Sequence, residues 1–130
     1  METIEEVREF FKKDRYATES GMVIDEIGDK YAKCSMDLTE MHQNAVGAVM
    51  GGVYFVLADF TFAVANNWKE QGCVSLNSNI TYLTPAKGKR LIGEATCIKD
   101  GRTTNLFRID IRDDLDNLCA TVNITGFKKR

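Results

Sequence analysis

Residues Ala45 to Ala65 read AVGAVMGGVYFVLADFTFAVA, and only Asp59 among them carries a formal charge. A carboxylate in so apolar a run must be desolvated, paired or used. The run is long enough to cross a bilayer, and Gly47 and Gly51 make the GxxxG spacing of packed membrane helices. Against a membrane span, placing Asp59 at the bilayer centre would cost roughly 2.5–3.5 kcal/mol. The flanks lack strong basic anchors, and Gly51-Gly52 weakens a continuous membrane helix. A helix from about Gly51 or Gly52 to Asn66, covered by a sheet, explains the same apolarity better.

The segments on either side supply that sheet. Residues 3–13 predict a short amphipathic helix with Thr3 as its cap and Glu6 at the capping-box position. Gly21 breaks the chain. Met22 to Ile27 and Tyr31 to Leu38 read as strands around a Gly28-Asp29 turn, and residues 39–50 as an irregular lead-in. Beyond the helix, strands are expected at Val74 to Thr84, Lys89 to Lys99, Arg102 to Arg112 and Leu118 to Gly126. Asp100-Gly101 is a hairpin signal. Short turns between consecutive strands predict an α+β fold, a curved antiparallel sheet wrapped around one long central helix. An antiparallel α+β sandwich of another topology is the alternative.

The 130 residues predict one domain, with enough chain for a hydrophobic core. A net charge of -2 gives no reason to expect a nucleic-acid surface. Cys34, Cys73, Cys97 and Cys119 form no CxxC, and His42 is the sole histidine, so no metal site is expected. Reduced, buried cysteines in a cytoplasmic protein are the plain reading. The acidic start Met1-Glu-Thr-Ile-Glu-Glu predicts no export signal.

Glycine at a helix start lets backbone N–H groups reach a ligand, and with the helix dipole they can hold a carbonyl oxygen as it gains charge. Gly51-Gly52 has this character; tight packing of the backbone on the sheet is the competing account. Asp59 lies about 12 Å of helical rise beyond Gly51, so one site can use both only if a second subunit joins them. Its i±3 and i±4 neighbours, Phe55, Val56, Phe62 and Ala63, are apolar, which predicts a raised pKa and a better base. A carboxylate satisfied by hydroxyls or by a partner chain is the alternative. Asn44 and His42 can orient substrate or water, or Asn44 can cap a turn. Ser75 is a better partner for Asp59 than Thr61. Lys87, Lys89 and Arg90 form a basic edge that is either a phosphate contact or a solvated hairpin.

Two segments carry a family resemblance: His42-Gln-Asn-Ala-Val-Gly-Ala-Val-Met-Gly-Gly-Val-Tyr-Phe-Val-Leu-Ala-Asp59, and Cys73-Val-Ser-Leu-Asn-Ser-Asn-Ile-Thr-Tyr-Leu-Thr-Pro-Ala86. They resemble the PaaI-like hotdog-fold thioesterases over about residues 20–125. The resemblance implies edge-to-edge homodimers that pair into homotetramers, with active sites between subunits. Its implied substrate is an acyl-CoA, with coenzyme A part of the substrate and no separate cofactor. It implies Asp59 as base or nucleophile, the Gly51 amide as carbonyl donor, and Asn44 and Ser75 as supports for the water. Gly52, Lys87 and Arg90 are the expected coenzyme A contacts. Many relatives have histidine where this chain has Met50, and methionine cannot replace that donor. A non-catalytic protein that binds acyl-CoA or an acyl carrier is therefore the alternative, and a dehydratase using His42 a third reading. Tyr54, Phe55, Phe62 and Trp68 are candidates to shape the acyl pocket.

Overall fold

In the computed structural model, which describes residues 1–129, helix α3 spans Gly51–Asn67 and touches every strand of one sheet. The strands are β1 Val23–Gly28, β2 Tyr31–Asp37, β3 Cys73–Tyr82, β4 Arg90–Asp100, β5 Thr104–Asp113 and β6 Leu118–Lys128. Their order is β1-β2-β4-β5-β6-β3, antiparallel at every junction. The expected wrapped sheet is thus present. Leu57, Phe62 and Val64 of α3 are buried against Ala95, Phe107, Ile109, Val122 and Ile124. Phe62 meets Phe107 edge to face at 5.5 Å. Burial on several faces explains why β-branched and aromatic residues are tolerated in this helix.

Helix and sheet approach most closely at Gly93. A Cβ there would lie 2.8 Å from the Thr61 Oγ1 and 3.3 Å from Leu57. Asn67 clamps the far end of α3 to the start of β3. Its Nδ2 donates to the Cys73 carbonyl at 3.0 Å, and its Oδ1 accepts from the Cys73 amide at 2.9 Å. No helix among the described residues is long and apolar enough to cross a membrane.

The N-terminal helix α1, Ile4–Phe11, carries the predicted Thr3–Glu6 capping box. A second short helix, α2 at Arg15–Glu19, was not expected. It shows no apolar periodicity, buries only Ala17, and Asp14 gives it no side-chain cap. One further expectation is corrected. Only Cys34 and Cys119 are buried, Cys73 and Cys97 being half-buried. Val74, Ser75 and Leu76 are all exposed on β3, an edge strand whose register with β6 shifts between Ser75 and Asn77.

Candidate active site

The candidate site is built around the first turn of α3. Met50 is its N-cap in an extended conformation and provides no side-chain cap. The amides of Gly51 and Gly52 therefore precede the helical ladder, as the first donors of any helix do. Neither donates to a protein acceptor among the described residues. The Tyr82 hydroxyl donates to the Gly51 carbonyl at 2.9 Å, tying this turn to the end of β3. The Tyr54 hydroxyl accepts from the Ala86 amide at 3.0 Å, which brings the 83–89 loop alongside. Val49, Gly51, Tyr54, Tyr82 and Pro85 line a cleft of about 380 Å³ at this point.

Asn44 lies in the loop leading to this turn. Its Oδ1 accepts from the Val46 and Ala48 amides at 3.0 and 3.1 Å, so it does cap a turn. Its Nδ2 has no protein acceptor among the described residues and remains a donor.

Asp59 forms no hydrogen bond or ion pair among the described residues, and its surroundings differ from expectation. It is exposed in the protomer rather than enclosed. It lies in a groove between α2 and α3 with Lys13, Asp14, Arg15, Tyr16, Ala17, Val56 and Phe60. Partial burial against this groove raises its pKa, and the nearby charge of Asp14 adds to the effect. Exposure and desolvation are compatible because the side chain keeps open surface while part of it is covered. Thr61 cannot orient this carboxylate. It is fully buried, and its hydroxyl donates to the Leu57 carbonyl at 2.6 Å. Ser75 is exposed on β3 and does not bond Asp59 within the protomer.

The expected coenzyme A contacts divide. Gly52 lies open at the helix start, where an added Cβ would meet only the tip of Met50, at 3.1 Å. The Lys87 side chain is exposed beside the Tyr54-anchored loop, and its amide donates to Asp113. Arg90 is committed inside the protomer: it pairs with Asp37 and donates to the Ser35 hydroxyl at 2.6 Å.

His42 is buried with both ring nitrogens engaged. Nδ1 accepts from the Thr39 amide at 2.9 Å, and Nε2 faces the Ser20 carbonyl at 3.0 Å as donor. This pattern selects the neutral imidazole carrying its proton on Nε2. His42 is a tether between the lead-in loop and the end of α2, which removes the basis for a His42-centred dehydratase. Three of the residues proposed to shape an acyl pocket have other work. Tyr54 holds Ala86, Phe62 packs on Phe107, and the Trp68 indole donates to the Gly28 carbonyl at 2.8 Å. Phe55 is half-buried on the outer face of α3.

Two elements of the site were not anticipated. Tyr82 looked like an ordinary strand residue, and only the crossover that returns β3 beside the helix start reveals its role. Asp113 sits in an acidic turn, DDLDN, that reads as solvated, yet it is buried. It accepts from the amides of Lys87, Gly88, Leu115 and Asn117 and from the Asn117 side chain, at 2.8–3.2 Å. Burial pushes its pKa up, but these donors outweigh burial and hold it far below the usual carboxylate range.

Comparison with known proteins places this geometry in context. Residues 46–120 match the model of the thioesterase superfamily. A putative esterase of Archaeoglobus fulgidus is 28% identical over 127 residues, covering 96% of this chain and 82% of the relative. Human acyl-coenzyme A thioesterase 13 is 36% identical over 81 residues, which are 60% of this chain and 58% of that protein. The PaaI protein of the E. coli phenylacetic acid degradation operon superposes with a TM-score of 0.88 at 24% identity, covering 94% of this chain and 89% of that one. The fold is accordingly the PaaI-like hotdog fold, an α+β architecture. The matched segment includes the open helix start, Asp59 and strands β3, β4 and β5, and the chain belongs to the thioesterase superfamily.

Proposed function

We propose that this protein hydrolyses acyl-CoA thioesters to a free acid and coenzyme A. The observation that carries the reading is the pairing of two open helix-start amides with an unpaired, desolvated carboxylate eight residues later on the same helix. The name of human acyl-coenzyme A thioesterase 13 supports the choice of acyl-CoA.

The thioester carbonyl lies against the Gly51 N–H, where the helix dipole adds to the field. The Asn44 Nδ2 and the Ser75 hydroxyl hold a water over the carbonyl carbon. Asp59 takes a proton from this water as its oxygen bonds to that carbon. The oxyanion forms against Gly51. Collapse restores the C=O bond, expels the coenzyme A sulfur as thiolate and leaves the acid; the thiolate then takes up a proton. Direct attack by Asp59, giving an anhydride that water opens, uses the same residues.

Gly51 and Asp59 of one chain are about 12 Å apart along α3, so the active unit is a homodimer in which one protomer gives Asn44 and Gly51 and the other Asp59 and Ser75. β3 supports this assembly, because it is an edge strand with Val74 and Leu76 exposed. Pairing of two dimers would make the tetramer.

Thiol release from a panel of acyl-CoAs tests the reading. Wild-type protein should turn over, and Asp59→Asn and Asp59→Ala should lose nearly all activity while keeping fold and assembly. Wild-type turnover in both variants would show that Asp59 does no chemistry. Met50 favours one rival: a half-exposed thioether stands where a donor would assist the carbonyl. Tight acyl-CoA binding with no hydrolysis at any chain length would establish a binding protein instead.

A further inference from the structure

The start of α3 is flanked by two spaces. On the β3 side is the Tyr54–Tyr82 cleft, bounded by Pro85, two residues before the exposed Lys87. On the α2 side is a smaller pocket of about 150 Å³, walled by Met22, Met36, Met41, Met50, Val53 and Val56. Four of the chain's five methionines are gathered here from β2, the lead-in loops and the N-cap of α3. Met22 and Met36 are buried and close the inner end, while Met41 and Met50 are exposed and stand at the mouth. Gly52 also lines it, so the pocket begins one residue from the Gly51 amide.

The polar groups of this wall offer a ligand little. Both ring nitrogens of His42 are spent on Thr39 and Ser20, and the Ser20 hydroxyl donates to the Tyr16 carbonyl at 2.7 Å. What remains is the exposed Tyr16 ring and its hydroxyl at the edge, and otherwise thioether and aliphatic surface; flexible methionines adapt to apolar shapes. A dry cavity of about 150 Å³ accommodates a benzene-sized group, that is, about six carbons.

A thioester held at Gly51 sends out two arms of opposite chemistry. One is the pantetheine of coenzyme A, ending in phosphates; the other is the acyl group. The side whose loop carries the exposed Lys87 suits the phosphate-bearing arm, and the methionine side the acyl arm. Building on the hydrolysis reading, we infer that the pocket between α2 and the start of α3 is the acyl site and selects short acyl groups of up to about six carbons. Met22 and Met36 set the length limit, and Met41 and Met50 form the entrance. This replaces Tyr54, Phe62 and Trp68, all engaged elsewhere, as the residues that read the acyl group.

The test separates binding from turnover. S-alkyl-CoA thioethers, from methyl to dodecyl, cannot be hydrolysed, and titration calorimetry gives their affinity. Each added carbon should tighten binding about fourfold until roughly six carbons, after which the gain stops. Met36→Ala should move this break outward by roughly two or three carbons, the length removed from the wall. Because Met36 is buried, a second variant guards against misfolding: Met41→Trp narrows the mouth from an exposed position and should lower the hexyl-to-methyl affinity ratio about tenfold. A flat chain-length profile in the wild type, or a break and ratio unmoved by either variant, overturns the pocket. Thioester turnover is measured in parallel. Absent turnover with the expected thioether profile overturns hydrolysis alone, and ready turnover with an unmoved profile overturns the pocket alone.

Discussion

The Tyr82 hydroxyl donates to the carbonyl of Gly51 at 2.9 Å, and a Cβ added to Gly51 would lie the same 2.9 Å from that oxygen. The residue that aims the open amide is therefore held by a strand that arrives from across the sheet. Tyr82→Phe removes the hydrogen bond and should lower kcat/KM about fivefold, corresponding to about 1 kcal/mol. Gly51→Ala should cost more, because the new methyl displaces the tyrosine as well as crowding the amide. In a double-mutant cycle, Gly51→Ala should cost less on the Tyr82→Phe background than on the wild type. Equal losses on both backgrounds would show that the two residues are uncoupled.

Asp59 links activity to pH and to stability. Its pKa is raised by desolvation and by Asp14, so kcat/KM should fall on acidification at a higher pH than an unperturbed aspartate would give. A raised folded-state pKa means that the folded protein binds this proton more tightly than the unfolded chain does. Asp59 therefore opposes folding increasingly as pH rises through the carboxylate range, and the penalty persists at neutrality. Asp59→Asn should remove the acidic limb of the rate profile with the activity, and its melting temperature at pH 7 should equal or exceed that of the wild type. A clear fall in melting temperature would show that the carboxylate is a structural partner.

Asp113 works in the opposite direction. Its depressed pKa contributes stability that is present above the unfolded value and is lost as pH falls below about 4. Asp113→Asn should destabilise the fold by about 3 kcal/mol, because amides of the 87–88 and 115–117 turns lose a shared, charged acceptor. Urea denaturation at pH 7 and pH 3 checks this. The difference between variant and wild type should shrink at the lower pH, and an unchanged difference would contradict the assignment.

His42→Ala should act through structure. It frees the Thr39 amide and the Ser20 carbonyl and should cost about 2 kcal/mol of stability. Below its own melting transition the variant should keep most of its turnover number, whereas loss of turnover with unaltered stability would restore a chemical role for the imidazole.

Leu76 probes the proposed assembly. It is 64% exposed on the β3 edge of the protomer, so Leu76→Lys should leave the protomer folded while a charge discourages strand pairing. Light scattering should report a shift towards single chains, and activity should become dependent on protein concentration. Full activity in a stable single chain would mean that Asp59 and Gly51 need no second subunit.

The architecture was legible because it rests on local periodicity. The apolar run around Asp59 named the central helix, alternating segments named the strands, and the Thr3–Glu6 box marked α1. α2 escaped because five residues burying one alanine leave no periodic trace. Ser75 falls on the strand expected for it, while the register shift that follows it on this edge strand had no local signal.

At the candidate site the division is sharper. Residue order alone set Gly51 and Asp59 two helical turns apart and left the helix-start amides without an intrahelical acceptor, because both follow from helix geometry. Long-range contacts decided the rest. They put Tyr82 on Gly51, spent Arg90 on Asp37, tied His42 to Ser20, and gathered methionines distant in sequence around one pocket. A side chain's availability for chemistry depends on the partners the folded chain brings to it, and no local pattern encodes contacts made across thirty or fifty residues.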